Sequence, residues 1–458
     1  MKKSTRWLAA ILTATAVGGA ACDSDSSGGT PGVDAAGDAG GGTDTGPADA
    51  NGGDTGGGDT GGGDTGGGDT GGADSGTADT GGTDAGGTDS GASDTGGSTD
   101  ASGDAGGTST LRVATFNTGL AHGYVKLAAE RLDAIVDAVA TLDADLVCLQ
   151  EVWEPGDIAA IIDGAKTAFP HEYHVITDGG TDDTEEPACS ADEAAPLKEC
   201  VELHCTGTND LAGCALGNCG AEFGATSPGC QQCMAANIGK NDVDAIFQAC
   251  AEGSAKYTFE GRNGLLVLSR VPLADTDHTV MDSYLVRRAV LHARVPGPSG
   301  DVHAFCTHLT ADLDDVPYQG EYTTWAGEQE HQVDQMAAWI STKASGGPTL
   351  LLGDMNAGPA IPPSIDAESP TVYDKLLAAG FTSPYVANEP PACTWCASND
   401  LVDDASTSRI IDHVMITGWT PTTSATRVMD QPVTIDVGGT PTETNLSDHF
   451  GVALHIEE

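Results

Sequence analysis

Six short segments hold the residues that could act together chemically. They are Thr115-Phe116-Asn117, Leu149-Gln150-Glu151, Thr307-His308-Leu309, Gly353-Asp354-Met355-Asn356, Ile411-Asp412-His413 and Ser447-Asp448-His449. Each adjoins an apolar run and, at the end of an expected buried strand, holds a polar residue able to touch a metal or a phosphate. Carboxylates and amides are hard oxygen donors of the kind that suits Mg2+, Mn2+ or Ca2+. A histidine beside a carboxylate can move a proton or donate to an oxyanion. Hydrolysis of a phosphate ester needs both sets: a cation to neutralise oxygens, a base to orient water, and donors for the charge that develops in the transition state. Glu151 is the strongest ligand candidate, because a carboxylate closing the run Leu146-Val147-Cys148-Leu149 has little reason to be there without a cation.

The elements that must position these residues are legible from periodicity. Strands are expected at 111–118, 145–152, 173–177, 264–269, 289–295, 302–307, 349–353, 410–416 and 451–456. Helices are expected at 124–142, 157–168, 328–341 and 372–379. The 145–152 run is almost wholly apolar before its polar end, which marks a strand buried on both faces. Strands outnumber helices and several are consecutive, so a mixed α/β core of two sheets with helices outside fits better than a parallel βαβ fold.

In this order and with these flanks the segments resemble the endonuclease/exonuclease/phosphatase superfamily, the group of DNase I, abasic-site endonucleases, neutral sphingomyelinases and inositol-polyphosphate 5-phosphatases. The resemblance implies a four-layered α/β/β/α sandwich of two mixed β-sheets with its active site at one sheet edge. It implies a Mg2+-dependent hydrolase of phosphodiester bonds, with Mn2+ or Ca2+ as alternative cations. Glu151 would bind the metal, Asn117 and Asn356 would contact phosphate or metal, and Asp448 would join the metal shell. Asp354 would orient the attacking water. His449 would work with Asp412, and His308 would donate to the phosphate or leaving group. Asn263 stands where the family often places a polar residue near the phosphate. Thr394-Trp395 with Asn399 resembles a stretch of the sphingomyelinase-like members, although Cys396 replaces its Asp. His413 and His331 match no catalytic position and read as structural.

The chain around this core is uneven. Residues 1–22 carry Lys2, Lys3 and Arg6, an apolar run and then Gly19-Ala20-Ala21-Cys22, an export signal too short to span a membrane as a mature helix. It resembles a lipoprotein processing site that would lipidate Cys22 and anchor the protein to the bacterial cell envelope. Ordinary cleavage that leaves Cys22 as a spare thiol is the alternative. Residues 23–110 are a Gly/Asp/Thr-rich linker with a period of five, too poor in apolar side chains to offset the entropy of ordering. Residues 111–458 form the chemical domain, interrupted at 178–253 by a Cys-rich insertion.

The whole chain carries 19 Lys plus Arg against 68 Asp plus Glu, a net charge of −49. Residues 1–110 hold three of the bases and 17 of the acids, so residues 111–458 carry 16 against 51, a net of −35. Such a surface repels polyanions at ordinary salt, which weakens a nuclease reading without removing it and equally suits solubility in a saline medium; no Lys-rich stripe for DNA tracking is present. The expected partners are a phosphodiester substrate, either nucleic acid or a phospholipid head group, and a membrane through the lipid anchor, with the chain acting as a monomer. Tyr318, Tyr322 and Trp325 follow His308 and could either dock at a lipid interface or pack under their loop.

Eight of the thirteen Cys fall between Cys189 and Cys250, most simply a disulfide framework, with zinc as the alternative. Cys148 and Cys306 lie inside expected core strands, and Cys393 and Cys396 could pair in their loop. A catalytically silent binding module, displayed on the linker and using the Cys-rich insertion as its contact surface, is the competing function.

Overall fold

The computed structural model describes residues 110–175, 183–206, 211–237, 240, 242–312, 318–388, 391–402 and 406–457. The expected signal, Cys22 and the linker up to residue 109 lie outside the described residues.

Period-two alternation builds the centre. In β2 (Leu146–Gln150), Leu146 and Cys148 face one way and Val147 and Leu149 the other, and all are buried. The same alternation runs through β1 (Thr110–Asn117), β4 (Leu266–Ser269) and β13 (Gly451–Glu457). With β3 (His171–Tyr173) and β10 (Thr422–Val428) they form a six-stranded sheet in the order β10-β13-β1-β2-β4-β3, in which β1 and β2 run parallel. The second sheet is five-stranded, ordered β5 (Ala274–Met281), β6 (Arg288–Gly297), β7 (Gly300–His308), β8 (Thr349–Asp354), β9 (Asp412–Thr417), with β7 and β8 parallel.

The inward sets of the two sheets, including Val113, Leu146, Leu291, Leu352, Val414 and Leu454, make one core between them. Outside the first sheet, α1 (Ala128–Ala140) and α2 (Pro155–Ala165) cover Phe116, Leu149 and Leu268. Outside the second, α7 (Trp325–Ala344) and α8 (Pro370–Ala378) cover Phe305, Leu351 and Met415. The four-layered α/β/β/α sandwich expected from the sequence is what forms.

Three departures have physical causes. The strand β5 and the small hairpin of β11 (Val433–Val437) and β12 (Thr440–Thr444) are largely exposed, as is β10, so they carry no apolar face for a pattern to reveal. The Cys-rich stretch is helical: α3 (Ala191–Cys205), α4 (Leu211–Gly224), α5 (Pro228–Asn237) and α6 (Val243–Glu252). They are stapled by Cys189–Cys230, Cys200–Cys219, Cys205–Cys214 and Cys233–Cys250, which leaves no thiolate there for zinc. Finally, Cys148 and Cys306 are not separate core thiols. They form a disulfide that crosses from β2 to β7, with Cα atoms 5.5 Å apart.

Candidate functional site

Strand direction gathers the site. The parallel strands β1, β2, β7 and β8 end at the same edge at which the antiparallel strands β6, β9 and β13 begin. Residue parity then decides which side chains face inward. Asn117, His308, Asp354 and Asp412 share the parity of Val113, Cys306, Leu352 and Val414, which line the core between the sheets. His413 has the opposite parity, and its ring bonds Ala357 O at 2.9 Å and Ser383 Oγ at 3.1 Å in the outer layer.

Asn117 joins the two sheets. Its amide nitrogen donates to Glu151 Oε1 and to Asp354 Oδ2, each at 3.0 Å, while its oxygen accepts from Gly119 N. His449 Nδ1 lies 2.9 Å from Asp412 Oδ2 and 3.7 Å from Asp354 Oδ2. His308 Nε2 lies 3.4 Å from Asp354 Oδ2 and 3.1 Å from the Asn356 amide nitrogen, which also donates to Leu309 O. The backbone N–H of Asn356 donates to Asp354 Oδ1 at 2.8 Å. Glu151 and Asn356 both take left-handed backbone angles, φ 60° and 45°, an uncommon conformation for non-glycine residues that tends to cluster at sites of function.

One helix of each outer layer sends a buried polar side chain beneath these loops. Arg131 of α1 donates to the carbonyls of Thr118, Gly119 and Leu446, locking the end of β1 to the loop that carries Asp448 and His449. Gln329 of α7 donates to Met355 O and Asn356 O, holding the turn after β8. Gly119 is required at the first junction, since at φ +56° a Cβ would stand 2.6 Å from Asp448 Oδ1. The Thr394 stretch does similar work: Thr394 Oγ1 accepts from the N–H groups of Ile411 and Asp412, and Asn399 donates to Ser447 O. Cys393 and Cys396 are bonded beside it.

Burial and the crowding of carboxylates set the charges. Desolvation, and then the neighbouring Asp412, push Asp354 up to about 7. Desolvation and Asp448 raise Glu151. Burial alone would depress His449, but the carboxylates of Asp412 and Asp354 outweigh it and hold the imidazole well above its ordinary value. His308 is held well below its ordinary value by burial and by the positive charge of Arg288, so it is neutral.

Arg288, at the start of β6, escaped the sequence reading. It is 5% exposed, its Nε and Nη1 have no hydrogen-bond partner among protein atoms, and its charge is felt by Glu151 and Asp354. The available signal was an arginine opening an otherwise apolar strand run, Arg288-Ala289-Val290-Leu291.

Two expectations fall outside this cluster. Asn263 spends its amide on backbone, donating to Val175 O at 2.6 Å and accepting from Leu265 N. Tyr318 and Trp325 pack edge to face beneath their loop, and Tyr322 stacks on His331, so these aromatics are not displayed for a lipid surface.

The donor set fits a hard divalent cation at the Glu151 end. There a partly exposed carboxylate, the Asn117 amide and nearby Asp448 meet, and the Asp448 charge adds to desolvation in raising Glu151. Asp354, Asp412 and His449 also lie within ligating distance of one another. There the imidazole is bonded to Asp412 through Nδ1 and the adjacent carboxylates favour its charged form, an arrangement suited to moving a proton.

A profile of the Endonuclease/Exonuclease/phosphatase family matches residues 114–449, spanning every segment of the cluster. The chain belongs to this family. Its fold is that of the metal-dependent phosphoesterases. No curated protein matches the chain in sequence. Solved structures with a similar fold include SmcL (14% identity, TM-score 0.48, covering 76% of this chain and 99% of that one). Sphingomyelinase C from Streptomyces griseocarneus is 16% identical, with a TM-score of 0.46 over 76% of this chain and 99% of that one. A family member from Beutenbergia cavernae is 18% identical, with a TM-score of 0.42 over 76% and 72%.

Proposed function

We propose that this protein hydrolyses phosphodiesters with a divalent cation, most suitably Mg2+, and that it does so outside the cytoplasm. The observation that carries the proposal is the Asn117 amide, which donates at 3.0 Å to Glu151 on one sheet and to Asp354 on the other. Those two bonds hold the carboxylate we assign to the cation and a carboxylate of raised proton affinity on either side of one amide.

Glu151, Asn117 and Asp448 would hold the cation, which when bound neutralises phosphate oxygens and polarises the phosphorus centre. Asp354 takes the proton of a water held beside it, a role suited to a carboxyl pushed up to about 7. His449, charged through Asp412, donates from Nε2 to a phosphate oxygen, and Asp412 fixes the orientation of the ring by accepting from Nδ1. His308 and Asn356 orient the ester, and Arg288 adds a buried positive charge against the negative charge that builds in the transition state.

Purified protein should hydrolyse a chromogenic phosphodiester with Mg2+ and lose activity in chelator. Glu151→Gln should reduce the rate by more than about tenfold with folding intact, since a charged ligand is lost and the backbone is unchanged. Wild-type protein inert on plasmid DNA, sphingomyelin and the chromogenic diester alike would favour the silent binding module instead. The export signal and Cys22 support a lipid-anchored, envelope-exposed protein. Accordingly, Cys22→Ser should move it from the membrane fraction to the soluble one, and a membrane-bound variant would sink the anchor.

A further inference from the structure

A chain of rings leads away from the phosphate site. Trp153, two residues beyond Glu151, lies 6.5 Å from the His308 ring, centroid to centroid. Phe259 stacks on Trp153 at 4.4 Å with planes 6° apart. Tyr124 meets Phe259 at 5.5 Å and 56°, and is 42% exposed. Trp153 is itself 2% exposed, and its indole N–H finds no acceptor among protein atoms.

The backbone presents Phe259 in a form that packing alone does not explain. Phe259, Glu260 and Gly261 are consecutively left-handed, at φ 52°, 56° and 73°, where non-glycine residues are rare. The turn is clamped at both ends. Thr258 donates twice to Leu285 O, and Arg262 pairs with Glu154 and Glu260 at 2.7 and 2.8 Å. The helix α5 of the stapled insertion packs against this turn from behind. Gly264 completes the seat, because a Cβ at its φ of +69° would stand 2.7 Å from the Trp153 ring.

We infer that Tyr124 and Phe259, backed by the buried Trp153, form a stacking ledge for a planar ring carried by a small phosphodiester, so that the substrate is a nucleotide-sized diester bearing a base. This rests on the proposed phosphodiesterase activity and names its substrate class. Flat faces favour flat partners. Among the described residues the exposed large apolar side chains are Tyr124, Leu203 on α3 and Leu377 on α8, which gives no continuous apolar surface near the site for a bilayer. The net charge of −35 over residues 111–458, 16 bases against 51 acids, opposes a long polyanion far more than a single diester.

The test compares a thymidine dinucleotide with glycerophosphocholine, which has no ring, in Mg2+, following products by chromatography. In Phe259→Ala and Tyr124→Leu the loss of kcat/KM on the dinucleotide should exceed the loss on glycerophosphocholine by about tenfold, the worth of one stacked base. It should appear mainly in KM. Tyr124→Leu keeps an apolar side chain at an exposed position, so it separates stacking from bulk and from misfolding. Equal losses on both substrates, no loss on either, or a wild-type preference for sphingomyelin vesicles would overturn the ledge.

A second arm is independent of turnover. Thymidine monophosphate, titrated against tryptophan fluorescence, should bind wild type about tenfold more tightly than either variant. Binding of equal strength in all three would reject the ledge. Wild type that binds selectively yet cleaves no diester would reject the catalytic proposal and keep the ledge.

Discussion

His449 and Asp412 come from segments 37 positions apart and meet at 2.9 Å. Asp412 is fully buried and its Oδ1 has no partner among protein atoms, so the pair is sited for its effect on the ring more than for its own stability. If Asp412 acts only by charging and orienting that imidazole, Asp412→Ala and His449→Ala should each cost a similar factor in rate, on the order of 10² to 10⁴. The double variant should then be little worse than the worse single one, because the two work as a unit. Fully additive losses in a cycle with saturating Mg2+ would show independent action and end the pairing. The residue types and partners here were legible in the sequence. Arg288 was not, since nothing in an apolar strand run shows that its first residue is buried without partners beside three catalytic candidates.

At the scale of elements, the disulfide between β2 and β7 is the feature that strand patterns concealed. Cys148 and Cys306 each satisfy the apolar alternation of their strand, so each alone reads as a small core residue. Only the stacking of the two sheets brings them together. The bond closes a separation of 158 residues and sits three residues before Glu151 and two before His308. Replacing both cysteines by Ala should cost about 2 to 5 kcal/mol in urea unfolding, by restoring freedom to the unfolded chain. It should also weaken Mg2+ binding, because the strand that ends in Glu151 loses its tie to the one that ends in His308. Unchanged unfolding and unchanged metal affinity would show the staple to be redundant.

At the scale of the whole molecule, the buried titratable groups set how stability varies with pH when no cation is bound. Asp354 is pushed up to about 7 and His449 is raised well above its ordinary value, so the stability they contribute is lost as pH rises through those folded values. His308 and His413 are lowered, and His292 is lowered to about 4, all chiefly by burial. Their contribution is present above the ordinary histidine value of about 6.5 and is lost as pH falls below it. In EDTA the urea midpoint should therefore peak near neutrality, at about pH 6.5 to 7. Mg2+ should raise the alkaline side most, because it favours ionised carboxylates. A midpoint in EDTA that climbs steadily to pH 9 would contradict this charge assignment.

The sequence by itself determined the layer architecture and the identity of the chemical residues. Continuous apolar runs such as those within Leu146–Gln150 and Thr349–Asp354 mark doubly buried strands, and each polar end stands out against them. Eight cysteines in 62 residues favoured a disulfide framework over zinc, and the four pairings came from the structure. Only the tertiary structure decided why Asp412 and not its neighbour serves the site: His413 points to the outer layer and bonds Ala357 O and Ser383 Oγ, and parity acquires meaning once it is known which face of the sheet meets the other sheet. It likewise decided that Asn263 belongs to backbone, that Cys148 pairs with Cys306, and that Trp153, Phe259 and Tyr124 line up. Those facts depend on contacts between segments far apart in the chain, and local pattern carries no information about which distant segment a buried face will meet.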